Sequence, residues 1–172
     1  MPNYIRSKYP GGYYFFTQIT YQRIPILLNP VFFDTLQNVI REVKTKYPFQ
    51  ILAYCFLPDH MHFIWKLPDG DSNYSHRWQM IKGLSTIRFN KLEGSQGKQH
   101  WQGRFWEHII RNEEDYQKHF HYVHINPIKH GYVRNLSEWN YSSFRDYVKK
   151  GIYDIDFGLS ENVVDTHDNF GE

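Results

Sequence analysis

The chain has 172 residues, of which 41% are hydrophobic and 19% aromatic, enough apolar material for one packed domain and too much for a disordered chain. A single cysteine, Cys55, excludes an internal disulfide, and no apolar run approaches the roughly 20 residues of a membrane-spanning helix. The formal charge of +2 conceals an asymmetry: residues 1–152 hold 20 basic and 12 acidic side chains, whereas 153–172 hold six acids (Asp154, Asp156, Glu161, Asp165, Asp168, Glu172) and no Lys or Arg. A basic body of that kind is expected to attract a polyanion, with residues 153–172 as an acidic tail. With no apolar segment at the N-terminus, the expected location is cytoplasmic.

Residues 1–10, with Arg6 and Lys8 ahead of Pro10-Gly11-Gly12, read as a basic arm ending in a turn. Tyr13 to Tyr21 is aromatic and β-branched with few charges, which predicts a central first strand. Asn29-Pro30 then sets a cap followed by proline at the first helical position. Phe33, Leu36, Ile40, Val43 and Tyr47 recur at three- and four-residue spacing, so a helix runs to Pro48. Phe49 to Phe56 is a second strand, and the Leu57-Pro58-Asp59 turn returns the chain as a third, giving a hairpin. Asn73 or Ser75 caps a second helix whose stripe is Tyr74, Trp78, Ile81 and Leu84, with Arg77, Lys82 and Arg88 on its wet face. Glu93 to His100 has the composition of a flexible loop. Trp101 to Arg111 predicts a fourth strand, and Asn112 with Asp115 resembles a capping box opening a third helix, Glu113 to about Ile125, stopped by Pro127. After an irregular stretch, Ser142 caps a short helix to about Lys150. The order predicts one α+β domain: a ferredoxin-like, RRM-like antiparallel sheet with helices packed mainly on one face.

The third strand organises the rest. Alternation puts His60, His62, Ile64 and Lys66 on one side and Met61, Phe63, Trp65 and Leu67 on the other. Two imidazoles two residues apart, roughly 7 Å of rise, can lean onto one cation if another element adds ligands; with ten histidines in the chain, the pair alone does not establish a site. The third helix offers the missing element. Tyr116, Phe120 and Val123 form its core stripe, while at about 100° per residue Tyr122 lies some 120° away, with Asn126 one turn further on. If that second face packs beside the histidine strand, Asn126 can give an oxygen ligand and Tyr122 stands over the metal.

These residues resemble the REP-associated tyrosine transposases, a branch of the HUH single-strand DNA nucleases related to single-tyrosine insertion-sequence transposases. The likeness runs from about Tyr4 to Tyr153. It includes Gly11-Gly12 before Tyr13-Tyr14-Phe15-Phe16-Thr17, Leu57-Pro58-Asp59-His60-Met61-His62, Trp65-Lys66-Leu67-Pro68-Asp69-Gly70, Arg104-Phe105-Trp106-Glu107-His108, and Tyr122-Val123-His124-Ile125-Asn126-Pro127-Ile128-Lys129-His130-Gly131. The resemblance implies a catalytic domain over 1–152, a metal at His60, His62 and Asn126, and Tyr122 as nucleophile. It implies Mg²⁺ or Mn²⁺ as the ion, a 5′-phosphotyrosine intermediate, a hairpin DNA substrate of the extragenic palindromic repeat type, and action as a monomer. His121 stands where the family commonly carries an acid. Arg104, Arg111, Lys118 and Lys129 flank the expected site and are candidates for phosphate contacts. Two other classes compete with this reading: a non-catalytic RRM-like module that stacks single-stranded nucleic acid, with the histidines incidental, and a zinc hydrolase drawing on His108, His121 or Cys55.

Overall fold

The computed structural model describes residues 8–158 and 168–172. Arg6 of the expected basic arm, and Glu161 and Asp165 of the acidic tail, lie outside the described residues. The elements are β1 (Tyr13–Ile19), α1 (Pro30–Lys46), β2 (Gln50–Phe56), β3 (His60–Lys66), α2 (Tyr74–Leu92), β4 (Trp106–Ile110), α3 (Glu113–Lys129) and α4 (Phe144–Lys149). The strands form one antiparallel sheet in the order β2-β3-β1-β4, so the two central strands are β3, with its histidines, and β1, which faces it residue for residue.

Local chemistry accounts for the helix starts. The Asn29 side chain accepts from the amides of Val31 and Phe32 at 3.1 Å each, Asn73 accepts from His76, and Asn112 accepts from Asp115 at 2.9 Å, each satisfying an amide that lacks an intrahelical partner. Asp115 answers by accepting from the amide of Arg111, one residue before the cap.

Helices cover both faces of the sheet. The packing expected mainly on one face describes α1 and α2, which bury Tyr14, Phe16, Met61, Phe63 and Trp65 with Leu36, Val39, Trp78 and Ile81. The opposite face, presenting Phe15, Ala53, Cys55 and Ile64, is covered by α3, through Phe120, Tyr122 and Val123, and by Phe144 of α4. Tyr153 is 5% exposed in this second cluster, and Phe157 packs against it. Among the described residues no helix is long and apolar enough to cross a membrane.

Three local expectations are corrected. Strand β1 ends at Ile19, and the segment before β4 keeps only a bridge between Trp101 and Thr20. Arg77 is not on a wet face: it is 3% exposed and donates to the carbonyls of Tyr47, Pro48 and Asn73 and to Asp71, tying the end of α1 to the start of α2. Pro127 does not stop α3, which runs through it to Lys129. Proline removes one amide but leaves the flanking ladder intact, as the His130 amide reaching the Asn126 carbonyl shows. The extra turn carries Lys129 and His130 into the site.

Candidate active site

Alternation along β3 turns His60 and His62 toward α3, where Tyr122 and Asn126 are 1% and 0% exposed. The His60 and His62 rings lie 5.1 Å apart, and His62 is 5.3 Å from the Tyr122 ring. The structure thus brings the histidine pair, the tyrosine and the amide to one place from two elements some 60 residues apart in sequence.

Each side chain is held by the atom that faces away from that place. His60 Nδ1 is 2.7 Å from the Asp59 carboxylate, which is itself held by Arg23 at 3.1 Å. Since a carboxylate only accepts, Nδ1 carries the proton and Nε2 a lone pair. The hydrogen bond from His60, with smaller help from the hydrogen bond and charge of Arg23, outweighs the effect of burial and brings the Asp59 pKa down to about 2. Thr17, opposite His62 in the β1–β3 register, donates its one hydroxyl proton to the Phe170 carbonyl; it therefore accepts from His62 Nδ1 at 2.9 Å. Asn126 donates its amide to the Tyr122 carbonyl at 2.7 Å, which leaves Oδ1 unused. His60 Nε2, His62 Nε2 and Asn126 Oδ1 are all buried with no hydrogen-bond partner among the described residues. Three buried acceptors without donors on two packed elements are a costly arrangement for a core and a fitting one for a cation. Burial brings the His62 pKa down to about 4 despite the opposing pull of Glu172, so the ring is neutral at pH 7, as a metal ligand must be.

The place is filled from within the chain. Glu172, whose side chain is 8% exposed, accepts a short hydrogen bond from the Tyr122 hydroxyl. It lies 3.2 Å from His62 Nε2, 3.1 Å from Lys129 Nζ and 3.0 Å from His130 Nε2. Burial opposes its charge, yet the hydrogen bond from His130, with that from Tyr122, holds the carboxyl far below the usual carboxylate range. Burial, and then the Glu172 carboxylate, push the Tyr122 phenol well above its ordinary value. Lys129 Nζ is 3.0 Å from the phenol oxygen and 4.7 Å above its ring, so a cation already stands beside the atom on which negative charge would appear. Phe170 packs on the Tyr122 ring at 4.7 Å. Gly171, at φ +78°, leaves no room for a side chain: a Cβ there would collide with the Trp106 side chain.

Of the expected phosphate contacts, Lys129 is at the tyrosine and Lys118 pairs with Asp168 at 3.1 Å. Arg111 opens into a different groove with Tyr13 and Tyr116, and Arg104 is exposed in the loop before β4. The residues of the hydrolase alternative do not converge. His108 pairs with Asp115 and stacks on His119, His121 packs against Tyr153 and Phe157, and Cys55 is fully buried with its thiol pKa raised by burial. Sequence reasoning missed Thr17, Asp59, His130, Phe170 and Glu172. Only Asp59, next to His60 in a turn, carried a local signal.

A family model described as "Transposase IS200 like" matches residues 9–111. The chain is 43% identical over 157 residues to the REP-associated tyrosine transposase of Escherichia coli (strain K12), covering 91% of each protein. A solved structure described as a REP-associated tyrosine transposase bound to a REP hairpin superposes with a TM-score of 0.85 at 40% identity, covering 100% of this chain and 98% of that one. Sheet, paired histidines and buried tyrosine, taken with these matches, define a transposase of the IS200-like class, an enzyme that acts on DNA. Within that class the chain belongs to the REP-associated tyrosine transposases.

Proposed function

We propose that the protein cuts and rejoins one DNA strand beside a REP-type hairpin like the one bound to its relative, with Tyr122 as nucleophile and a divalent ion on His60, His62 and Asn126. The observation that carries the reading is the set of buried acceptors without a donor, His60 Nε2, His62 Nε2 and Asn126 Oδ1, on the two elements that meet at Tyr122. In the first step the Tyr122 oxygen bonds to phosphorus and the bond from phosphorus to the 3′ oxygen breaks. The phenol proton is lost to solvent, and the departing 3′ oxygen takes up a proton. The phosphotyrosine on the 5′ side retains the energy of the diester, so the same 3′ hydroxyl, or another, can attack and reverse the step. Lys129 stabilises the phenolate as the proton leaves, and displacement of Glu172 by the phosphate removes the carboxylate that holds the phenol protonated. The ion supplies charge neutralisation at the phosphate oxygen; two imidazole nitrogens favour Mn²⁺ over Mg²⁺. Lys118, Arg104 and Arg111 contribute screened contacts along the DNA backbone.

Residues 1–152 are the catalytic domain, 153–172 an acidic extension whose last residues hold the phosphate position, and one chain working as a monomer in the cytoplasm carries the whole site. End-labelled hairpin incubated with the protein and Mn²⁺ is expected to give a protease-sensitive covalent adduct. Cleavage without any adduct would instead assign the attack to metal-activated water and overturn the role of Tyr122.

A further inference from the structure

We propose that the recess now filled by Phe170 is a seat for a nucleobase, that of a nucleotide flanking the cleaved phosphate. The inference rests on the reading of Tyr122 as the nucleophile and adds a second, stacking subsite to it. Phe170 sits in an aromatic box whose walls are His119 at 4.4 Å, Tyr122 at 4.7 Å, Phe15 at 5.8 Å and Trp106 at 5.8 Å between ring centroids. His119 and Trp106 meet the Phe170 ring at shallow interplanar angles of 32° and 34°, while Tyr122 and Phe15 meet it edge-on, so the box is a slot for a flat ring. Lys118 Nζ lies 5.3 Å from the centre of that ring.

Three features favour a base as the other occupant. The slot is continuous with the nucleophile, because Tyr122 is both a wall of the box and the residue whose hydroxyl meets Glu172. Phe170 and Glu172 together present a flat ring and an anion two residues apart, the two parts that a nucleotide joins as base and phosphate. One wall of the seat also keeps a polar atom in reserve: His119 is 2% exposed and its Nε2 has no hydrogen-bond partner among the described residues. Stacking accepts any base, since every base has a π face, so the slot is expected to register the strand against Tyr122 without reading its sequence.

The test changes the DNA rather than the protein. A REP-type hairpin with a single-stranded flank is first cleaved in Mn²⁺ to map the scissile phosphate. Binding to the full chain is then measured in EDTA for the intact oligonucleotide and for two versions made abasic on one or the other side of that phosphate. One of the two is expected to bind about tenfold more weakly or worse. Only an oligonucleotide with a base for the slot must displace Phe170, so the measured ratio is a lower limit on what stacking contributes. In Trp106→Ala and, separately, His119→Ala, checked for folding by circular dichroism, the penalty for that abasic site is expected to fall below twofold, because the wall that the base stacked on is gone. Both abasic oligonucleotides binding within twofold of the intact one, or a penalty that persists unchanged in both variants, overturns the base seat while leaving cleavage by Tyr122 standing. Failure of the intact hairpin to be cleaved overturns both readings together.

Discussion

The two faces of β3 are made by alternate residues of one strand, and they are buried to the same degree for opposite reasons. Met61, Phe63 and Trp65 meet α1 and α2 through apolar and aromatic contact, with Trp65 stacked on Trp78 at 4.2 Å. His60 and His62 meet α3 with acceptor atoms that nothing in the described chain satisfies. The first face contributes stability, since removal of apolar area from water is favourable. The second is a place where the fold tolerates unpaired polar groups. The difference teaches that burial alone does not separate core from site; the hydrogen-bond inventory does.

The sharpest division between the faces is expected from two substitutions. Tyr122→Phe should bring cleavage and adduct formation below detection while leaving hairpin affinity and melting temperature nearly unchanged, whereas Tyr116→Phe, six residues away, should leave cleavage intact. An active Tyr122→Phe would mean that the helix faces are misassigned. Trp65→Ala, on the other side of the same sheet, should destabilise by about 3–5 kcal/mol in denaturant titration, with normal cleavage per folded molecule. Loss of cleavage out of proportion to loss of folded protein would break the comparison.

Smaller effects refine it. Asp59→Asn should weaken Mn²⁺ binding by about 10- to 100-fold in calorimetry with little change in stability, because the amide can donate to His60 Nδ1 and so leave the ring proton on Nε2, the nitrogen that faces the ion; unchanged affinity would remove Asp59 from the polar face. Acid should act on the α3 side through His124, which is fully buried between the Phe120 carbonyl and Ser143 and has its pKa pulled down to about 3, chiefly by burial. The unfolded chain protonates this ring below about pH 6.5 and the folded chain does not. Its contribution is therefore complete above pH 6.5 and lost as pH falls toward 3, by at most about 1.4 kcal/mol per pH unit. His124→Asn should flatten that loss in melts taken from pH 7 to 4. The smallest expected change is a several-fold rise in cleavage for Gly171→Ala, whose new Cβ collides with Trp106 and lifts the Phe170-Glu172 segment from the site; unchanged or lower cleavage would mean that the segment does not compete with DNA.

The four strands, the central place of the first and all three long helices were legible because strand and helix periodicities are local, and the caps at Asn29, Asn73 and Asn112 are single-residue signals. That His60 and His62 share one face, and Tyr122 and Asn126 another, was legible for the same reason; that the two faces meet was an expectation from the family resemblance, because strand and helix periodicity do not say which elements pack together. Arg77 was not legible: its partners are carbonyls of Tyr47 and Pro48 roughly 30 residues away, and nothing near Arg77 distinguishes a buried guanidinium from a solvated one. Pro127 misled because a proline within a helix and a proline after one leave the same local trace. Glu172 and Phe170 carry no periodic signal and reach Tyr122 across about 50 residues, so only the folded chain reveals them.

The hydrogen bonds behind the histidines have a further consequence. With His60 tied to Asp59, His62 to Thr17 and the Asn126 amide to the Tyr122 carbonyl, rotation of any of these side chains breaks a buried bond, so their rotamer freedom is surrendered when the chain folds and not when an ion arrives. On the proposed metal site, ion uptake would then require little reordering of these three side chains, and they would present nearly the same donors to any divalent ion of suitable radius. Discrimination among ions is left to ligand chemistry and to which ion the surroundings supply, and the protein should be readily loaded, or mis-loaded, by the metals it meets during purification.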